Sequence, residues 1–205
     1  MTPVAPTKIV GVGRNYVAHA RELGNEMPAQ PILFYKPPSS LIGAGQAIVL
    51  PPESHRVEFE AEIGIVILER TRNLTTAQAE RVRLGYVCVN DVTARDLQQT
   101  DGQWGRAKGF DTFCPVGPRV VEGLDWRHLE IRCRVNGVER QRARSSDMAF
   151  PIPVLVSFIS GIMTLEPGDL IATGTPAGTA ALSPGDVVEV DIPGVGILSN
   201  PVVQG

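Results

Sequence analysis

Glycine and proline interrupt this chain so often that long regular elements are disfavoured. The 205 residues include 21 Gly and 17 Pro, spread along the whole sequence. Both residues favour turns, glycine because it tolerates positive φ and proline because its ring fixes φ. The sequence therefore predicts many short strands with a few short helices. The length fits one domain covering residues 1–205.

The overall composition is that of a globular protein with a small partner. Hydrophobic residues make up 43% of the chain, charged residues 20%, and the net charge is -3. These values argue against disorder and against electrostatic binding of nucleic acid. Cys88, Cys114 and Cys133 are odd in number and form no C-x-x-C pair, which suits a reducing compartment. No signal peptide is visible at the N-terminus, so we expect a cytoplasmic protein.

One uncharged segment, residues 148–165, has to be weighed as a membrane span. It has the minimum length for crossing a bilayer, but Pro151 and Pro153 interrupt it. Within it, apolar residues recur at helical spacing at Leu155, Phe158, Ile159 and Ile162. This spacing favours a buried helix that begins near Pro153 and indicates that the chain does not enter a membrane.

The other elements follow from hydrophobic periodicity and turn residues. We expect strands at residues 8–12, 32–35, 47–50, 57–68 and 86–90, and helices at 17–23 and 75–83. Asn136-Gly137 predicts a hairpin between residues 129–135 and 138–141. Pro-Gly-Asp turns at 167–169 and 184–186, and the turn 193–196, introduce the last strands. Residues 101–117 are expected to form a loop.

A set of carboxylates offers the first chemical signal. Glu58, Glu60 and Glu62 alternate with apolar residues, so a strand would carry them on one face, and Asp91 ends the next predicted strand. Glu60, Glu62 and Asp91 together could supply the oxygen ligands that a hard cation such as Mg2+ prefers. The alternative interpretation is an exposed strand face, which is commonly charged. The spacing alone leaves both open.

Five motifs in order carry a resemblance to a known family. They are residues 12–16 (Val-Gly-Arg-Asn-Tyr) with His19 and Glu22, 59–64 (Phe-Glu-Ala-Glu-Ile-Gly), 90–96 (Asn-Asp-Val-Thr-Ala-Arg-Asp) with Gln98, 108–115 (Lys-Gly-Phe-Asp-Thr-Phe-Cys-Pro) and 173–178 (Thr-Gly-Thr-Pro-Ala-Gly). Together they resemble the fumarylacetoacetate hydrolase family, particularly its short acylpyruvase branch.

The resemblance implies a fold, a metal and an assembly. The fold would be a strand-dominated α+β catalytic domain, a mixed β-sandwich or β-roll with a few peripheral helices. Glu60, Glu62 and Asp91 fall on the family's ligands for Mg2+ or Mn2+, with Ca2+ as a substitute in a crystal, and Lys108 falls on its active-site lysine. A homodimer is expected by the same analogy.

The resemblance also assigns roles around the metal. His19 and Glu22 match a pair that activates water, on a short helix that could act as a lid; without the family, His19 would be interpreted as a surface histidine. The residues that match positions near the substrate are Arg14, Tyr16, Gln98 and Thr175. Arg95 could brace the loop behind Asp91, and Glu58 is interpreted as a bystander.

These assignments favour hydrolysis of a carbon–carbon bond. The substrate would be a 2,4-dioxo acid of the acylpyruvate or fumarylpyruvate type, cleaved to pyruvate and a carboxylic acid, because attack by water needs the base that His19 supplies. One alternative is an isomerase or decarboxylase acting on 2-hydroxydienoates or oxaloacetate-like acids in aromatic catabolism. A more distant alternative is a non-catalytic module that binds small acids.

Overall fold

The computed structural model describes residues 4–205, which contain fourteen strands and five short α-helices. The strands are Ile9–Gly13 (β1), Ile32–Lys36 (β2), Leu41–Ile42 (β3), Ile48–Leu50 (β4), Val57–Glu58 (β5), Ala61–Ile67 (β6), Leu84–Asn90 (β7), Thr93–Ala94 (β8), Cys114–Glu122 (β9), Glu130–Val135 (β10), Val138–Arg144 (β11), Leu170–Ala172 (β12), Val187–Ile192 (β13) and Gly196–Gln204 (β14). The helices are Val17–Glu22 (α1), Thr76–Ala79 (α2), Arg95–Thr100 (α3), Gly105–Gly109 (α4) and Ile152–Ile162 (α5).

Two mixed sheets form the scaffold. The larger has seven strands in the order β2-β1-β12-β6-β7-β9-β3, and the smaller has five in the order β11-β10-β13-β14-β4. Parallel pairs (β1 with β12, β3 with β9, β14 with β4) occur beside antiparallel ones, so the prediction of a mixed, strand-dominated α+β fold is confirmed. Apolar side chains from β6 and β7 join those from β10, β13 and β14 in one core.

The centre of the larger sheet is an antiparallel pair whose end holds the carboxylates. All seven residues of β6 are buried, and the register places Ala61 opposite Asn90 of β7. A strand that is buried on both faces reads as a nearly continuous apolar run, which Ile63 to Ile67 provide. Because the two strands are hydrogen-bonded neighbours, residues around position 61 and position 90 lie close together.

The uncharged segment, residues 148–165, contains helix α5, which decides between a membrane span and a buried helix. It covers 11 residues, and its apolar side chains, among them Leu155 and Ile159, are buried in the core. Across residues 4–205, no helix combines the length and apolarity that a bilayer crossing requires. The prediction of a core helix is therefore confirmed. Both Asn136 and Gly137 adopt positive φ in the β10–β11 hairpin, as predicted.

Three predictions differ from the structure. The strand expected over residues 57–68 is broken at Phe59 and Glu60, which separate β5 from β6. Helix α2 is shorter than predicted, although Thr75 caps it and accepts a hydrogen bond from the backbone N–H of Gln78. The expected loop over residues 101–117 contains α4 and the start of β9. The pattern concealed α4 because glycines stand at both of its ends.

Candidate active site

The three predicted metal ligands converge at the end of the β6–β7 pair where Ala61 lies opposite Asn90. Glu62 lies on β6, Glu60 lies in the link from β5, and Asp91 directly follows β7. Carboxylate oxygens from the three residues all lie within 4.8 Å of one another. The backbone holds this arrangement, since the N–H of Asp91 donates to the carbonyl of Glu60 over 2.8 Å. The side-chain oxygen of Asn90 accepts from the N–H of Glu60 over 3.0 Å.

These carboxylates are buried, which contradicts the interpretation of an exposed charged face. Glu58, Glu60 and Glu62 are exposed by only 1%, 5% and 1%, and Asp91 is fully buried. Carboxylates are not found in such places without compensating partners, because desolvation of a charge is costly. The partners therefore reveal how the site is built.

Two buried lysines bind Asp91 from opposite sides. Lys108 on α4 places its Nζ 2.5 Å from Asp91 Oδ2 and 2.8 Å from Glu60 Oε2. Lys36, at the end of β2, places its Nζ 2.6 Å from Asp91 Oδ1 and donates to the carbonyl of Val92 over 3.2 Å. Sequence analysis missed Lys36. A signal existed, because Lys36 shares a strand face with Phe34, and that face points inward.

Arg95 forms a second buried ion-pair group. Its Nη2 lies 2.5 Å from Glu60 Oε1, and its Nε lies 2.8 Å from Glu58 Oε2. Its Nη1 donates to the Gln98 side-chain oxygen over 2.6 Å. Glu58 is consequently more than a bystander, since it holds the arginine that contacts Glu60. Its carboxylate is not one of the three that converge at the cation site.

The surroundings of Glu60 and Glu62 shift the pKa values of these two residues in opposite directions. Burial alone raises the pKa of Glu60, but the charges of Lys108 and Arg95, with a contribution from His19, outweigh it and hold the pKa below its ordinary value. Burial, together with the charges of Asp91 and Glu60, holds the pKa of Glu62 well above its ordinary value. Glu62 is therefore the ligand whose ionised form most needs additional positive charge.

The charge count fits a divalent cation. Four buried carboxylates (Glu58, Glu60, Glu62 and Asp91) face three buried cations (Lys36, Arg95 and Lys108). One negative charge is in excess among these buried groups, and Arg56, whose side chain is largely exposed, also pairs with Glu58. A divalent ion would leave the site with a net positive charge. Oxygen-only donors are those that Mg2+ and Mn2+ prefer. The donor set and its electrostatics both suit such an ion, which would leave the site attractive to an anionic substrate.

His19 and Glu22 form the predicted pair on α1. The Nδ1 atom of His19 lies 3.1 Å from Glu22 Oε2, and His19 is buried, so the interpretation as a surface histidine is wrong. The carboxylate of Glu22 also accepts from the backbone N–H of Gly178, over 3.1 and 3.2 Å to its two oxygens. Through this contact the loop 173–178 fixes the glutamate that orients the imidazole. By contrast, His55 and His128 lie on the surface.

The turn at residues 173–178 uses its polar groups within the protein. The hydroxyl of Thr175 donates to the carbonyl of Ala61 over 2.9 Å and accepts from the side chain of Gln141 over 2.8 Å. The N–H of Gly174 donates to Glu62 Oε2 over 2.7 Å. This turn therefore orients a predicted metal ligand and ties the two sheets together. Gln141 was also missed from sequence, since a lone glutamine on a strand carries no distinctive pattern.

A cavity of about 300 Å3 opens above the carboxylates. Of the predicted site residues, those that line it are Arg14, His19, Glu60, Glu62, Gln98, Lys108 and Thr175. Glu22, Asp91 and Tyr16 are not among the lining residues, and Tyr16 is buried. Within residues 4–205 the Tyr16 hydroxyl has no hydrogen-bond partner, and burial, with the charges of Glu62 and Asp147, raises its pKa. The assignment of Tyr16 to substrate binding stays a prediction.

Taken together, the architecture is that of a two-sheet α+β domain with a buried carboxylate centre and a histidine–glutamate pair at one cavity. The chain belongs to the fumarylacetoacetate hydrolase family, since residues 8–203 match the model described as "Fumarylacetoacetate (FAA) hydrolase C-terminal". The match covers almost the whole chain, and the sequence resemblance is confirmed.

Relatives of this chain include three different enzymes. A mitochondrial oxaloacetate decarboxylase of Dictyostelium discoideum is 42% identical over 92% of this chain and 89% of its own length. A 2-hydroxyhepta-2,4-diene-1,7-dioate isomerase from Mycobacterium marinum is 46% identical, covers 99% of this chain and 77% of its own, and superposes with a TM-score of 0.92. A fumarylpyruvate hydrolase from Pseudomonas aeruginosa, solved with Mn2+ and pyruvate, is 31% identical over 98% and 91% of the two chains, with a TM-score of 0.91.

Proposed function

We propose that this protein is a Mg2+- or Mn2+-dependent hydrolase that cleaves the carbon–carbon bond of a 2,4-dioxo acid, releasing pyruvate and a carboxylic acid. The observation that carries the proposal is the His19–Glu22 pair, whose histidine lines the same cavity as Glu60 and Glu62. Hydrolysis needs a base for water, and a histidine held by a glutamate at the cavity supports that role. The hydrolase relative, solved with a metal and pyruvate, supports the same assignment.

The metal would be held by Glu60, Glu62 and Asp91. When bound, a divalent cation supplies Lewis-acid polarisation of a 2-oxo acid and stabilises negative charge on its oxygens. The protein's own contribution is to keep the three carboxylates in place. Lys36 and Lys108 fix Asp91, the N–H of Gly174 fixes Glu62, and Arg95 fixes Glu60.

His19 and Glu22 would activate the water. The contact between Glu22 and Nδ1 of His19 favours the tautomer with its proton on Nδ1, which leaves Nε2 free to accept a proton. The negative charge of Glu22 then stabilises the imidazolium that forms when Nε2 takes a proton from water. Hydroxide adds to the 4-carbonyl, the C3–C4 bond breaks, and the electron pair passes into the pyruvate half. His19 returns its proton to C3 of that half.

Lys108 would stabilise the negative charge that develops in this reaction. Its ammonium group lies at the floor of the cavity, and the charges of Asp91 and Glu60 outweigh burial and raise its pKa. Lys108 is therefore a permanent cation at neutral pH. Gln98 and Arg14 line the same cavity and would orient the substrate.

A second candidate is an isomerase or decarboxylase of 2-oxo acids. The observation in its favour is that the isomerase and decarboxylase relatives are more similar to this chain, at 46% and 42% identity, than the hydrolase relative at 31%. All three reactions pass through negative charge next to a 2-oxo group. Glu60, Glu62 and Lys108, which line the cavity and with Asp91 form its floor, would serve each of these reactions. An attacking water is needed for hydrolysis alone.

His19→Ala separates the candidates. With acetylpyruvate and fumarylpyruvate followed in the ultraviolet with and without Mn2+, we expect the variant to lose about 100-fold to 10,000-fold in kcat, the usual contribution of a positioned base. Decarboxylation of oxaloacetate, which needs no attacking water, should persist.

The matched control is His128→Ala. His128 also lies three residues from an acidic partner, with Nδ1 2.9 Å from Asp125, but it is exposed and lies outside the cavity lining. Its removal should leave turnover unchanged. Full dioxo acid hydrolysis by His19→Ala would remove the pair from the mechanism. Turnover of oxaloacetate alone by the unaltered protein would favour the second candidate.

A further inference from the structure

An aromatic wall stands on one side of the cavity. Phe34 of β2 and Trp104, the residue before α4, both line it, with their rings edge to face and their centroids 5.4 Å apart. Neither ring takes part in the proton transfers or the charge stabilisation proposed for His19 and Lys108. Two adjacent aromatic side chains offer a large apolar surface with a defined geometry, which suits a flat or apolar ligand group.

Two glycines of β1 make room for this wall. A Cβ atom on Gly11 would lie 2.1 Å from Cζ of Phe34, and one on Gly13 would lie 2.6 Å from Cζ3 of Trp104. No side chain fits at either position while the rings stay in place. The indole therefore takes up the space that a side chain at position 13 would occupy in this strand.

The wall extends from the floor of the site towards its rim. At the floor, Nζ of Lys108 lies 4.9 Å from the Phe34 ring centroid. Trp104 is one helical turn away, since the N–H of Lys108 donates to its carbonyl over 3.0 Å. At the other side, the indole meets Gly13, which is followed by the cavity residue Arg14. A substrate with its oxo-acid end at the carboxylates and a chain that extends towards Arg14 would pass along the indole.

We propose that Trp104 is a specificity-determining residue whose indole packs against the substrate chain beyond the reacting carbonyl. The inference rests on the proposed function, because that function places the oxo-acid end at the floor. The site then selects 2-oxo acids with a flat or apolar extension, such as an acyl or unsaturated chain, over oxaloacetate, whose short chain ends in a carboxylate. Desolvating that carboxylate against an indole is unfavourable.

Trp104→Leu and Gly13→Ala test this directly. The first removes the ring, and the second moves it with a methyl group at the cleared position. Binding to the Mn2+-loaded protein is measured by calorimetry with two ligands that are not cleaved. One is oxalate, which is no longer than the floor, and the other is 2-oxohexanoate, which extends along the wall and lacks a 4-oxo group.

We expect both variants to weaken 2-oxohexanoate binding about fivefold to tenfold, the usual range for one aromatic contact, and to leave oxalate binding within twofold. Retained oxalate affinity also shows that the variant is folded. Trp126→Leu is the control, because Trp126 lies outside this cavity, under Arg127, and its loss should change neither affinity. Equal loss for both ligands, or no loss for 2-oxohexanoate, would overturn the proposal.

Turnover distinguishes this inference from the proposed function. For the unaltered protein and Trp104→Leu, kcat/KM is compared between hexanoylpyruvate, whose extension is an uncharged alkyl chain, and oxaloacetate, and the ratio should fall about fivefold to tenfold in the variant. If the unaltered protein cleaves no dioxo acid, the proposed function fails, yet the two calorimetric affinities still decide whether Trp104 contacts an extended chain. If cleavage is normal and the ratio is unchanged, only the role of Trp104 fails.

Discussion

The floor of the site and helix α1 are anchored in different ways. At the floor, buried carboxylates at the ends of the central strands β6 and β7 pair with buried cations from β2, α3 and α4, and Asp91 by itself contacts two lysines. Helix α1 has six residues, of which only His19 and Ala20 are buried, and Glu22 reaches the neighbouring loop through Gly178. A floor fixed by many contacts suits metal binding, and a helix fixed by few suits opening and closing. The lid assignment for α1 stays a prediction.

Asp91→Asn should break the floor and have the largest effect. The substitution leaves Lys36 buried beside an amide, and loss of one partner of a buried ion pair typically costs about 3 to 5 kcal/mol. The free energy of unfolding in urea, measured without metal, provides the test. Asp125→Asn is a surface control and should change it by less than about 0.5 kcal/mol. A loss below about 1 kcal/mol at Asp91 would contradict the account of a floor held by charge pairing.

Glu22→Gln should leave the floor intact and affect only the helix. The amide keeps the shape of the side chain but removes the charge that stabilises the imidazolium. We expect kcat to fall about tenfold to a hundredfold, less than for removal of the histidine itself. Mn2+ affinity and stability should be unchanged, since Glu22 contacts neither the carboxylates nor their lysines. Weaker Mn2+ binding in this variant would show that the two regions are not independent.

The raised pKa of Glu62 should make the stability of the metal-free protein depend on pH. A carboxyl whose pKa is raised on folding stabilises the folded state below its ordinary pKa, and this contribution is lost as the pH rises towards the folded value. Glu60, with a lowered pKa, has the opposite dependence and acts only below its ordinary pKa of about 4.3.

Above that pH, the metal-free protein should therefore lose up to about 1.4 kcal/mol of stability per pH unit through Glu62. Glu62→Gln should lack this slope, and saturating Mn2+ should suppress it in the unaltered protein. Urea unfolding at pH 5, 6 and 7 measures it. Identical slopes in the two metal-free proteins would mean that Glu62 is not held protonated by its neighbours.

Features that depend on local sequence could be predicted, whereas features that depend on contacts between distant elements could not. Most of the strands, the hairpin at Asn136-Gly137 and helix α5 follow from local periodicity and turn chemistry, so they were predictable. Strand β9 was not, because its first residues lie in a segment that was expected to form a loop. Glu60, Glu62 and Asp91 could be named as a candidate set from alternate strand positions and a strand end, but only the family resemblance favoured a metal site over an exposed charged face. Their burial was not predictable, because it depends on Lys36 and Arg95, which approach from other elements and pair with them only after folding.

Helix α4 and the position of Tyr16 show the remaining limits. Helix α4 could not be predicted from helix propensity, because glycines occupy positions 105 and 109. Its packing against β2 keeps it helical and buries Lys108. Tyr16 lies within a recognisable motif, but a motif does not reveal which of its side chains line the cavity and which are buried elsewhere. Those distinctions depend on tertiary packing.

Anomalous X-ray diffraction from crystals soaked in Mn2+ is the most direct test of a metal site formed by Glu60, Glu62 and Asp91. The account predicts one strong anomalous peak within coordination distance of carboxylate oxygens from Glu60, Glu62 and Asp91, and no such peak in Glu62→Gln crystals soaked in the same way. No peak between these three side chains, or an undiminished peak in the variant, would contradict it.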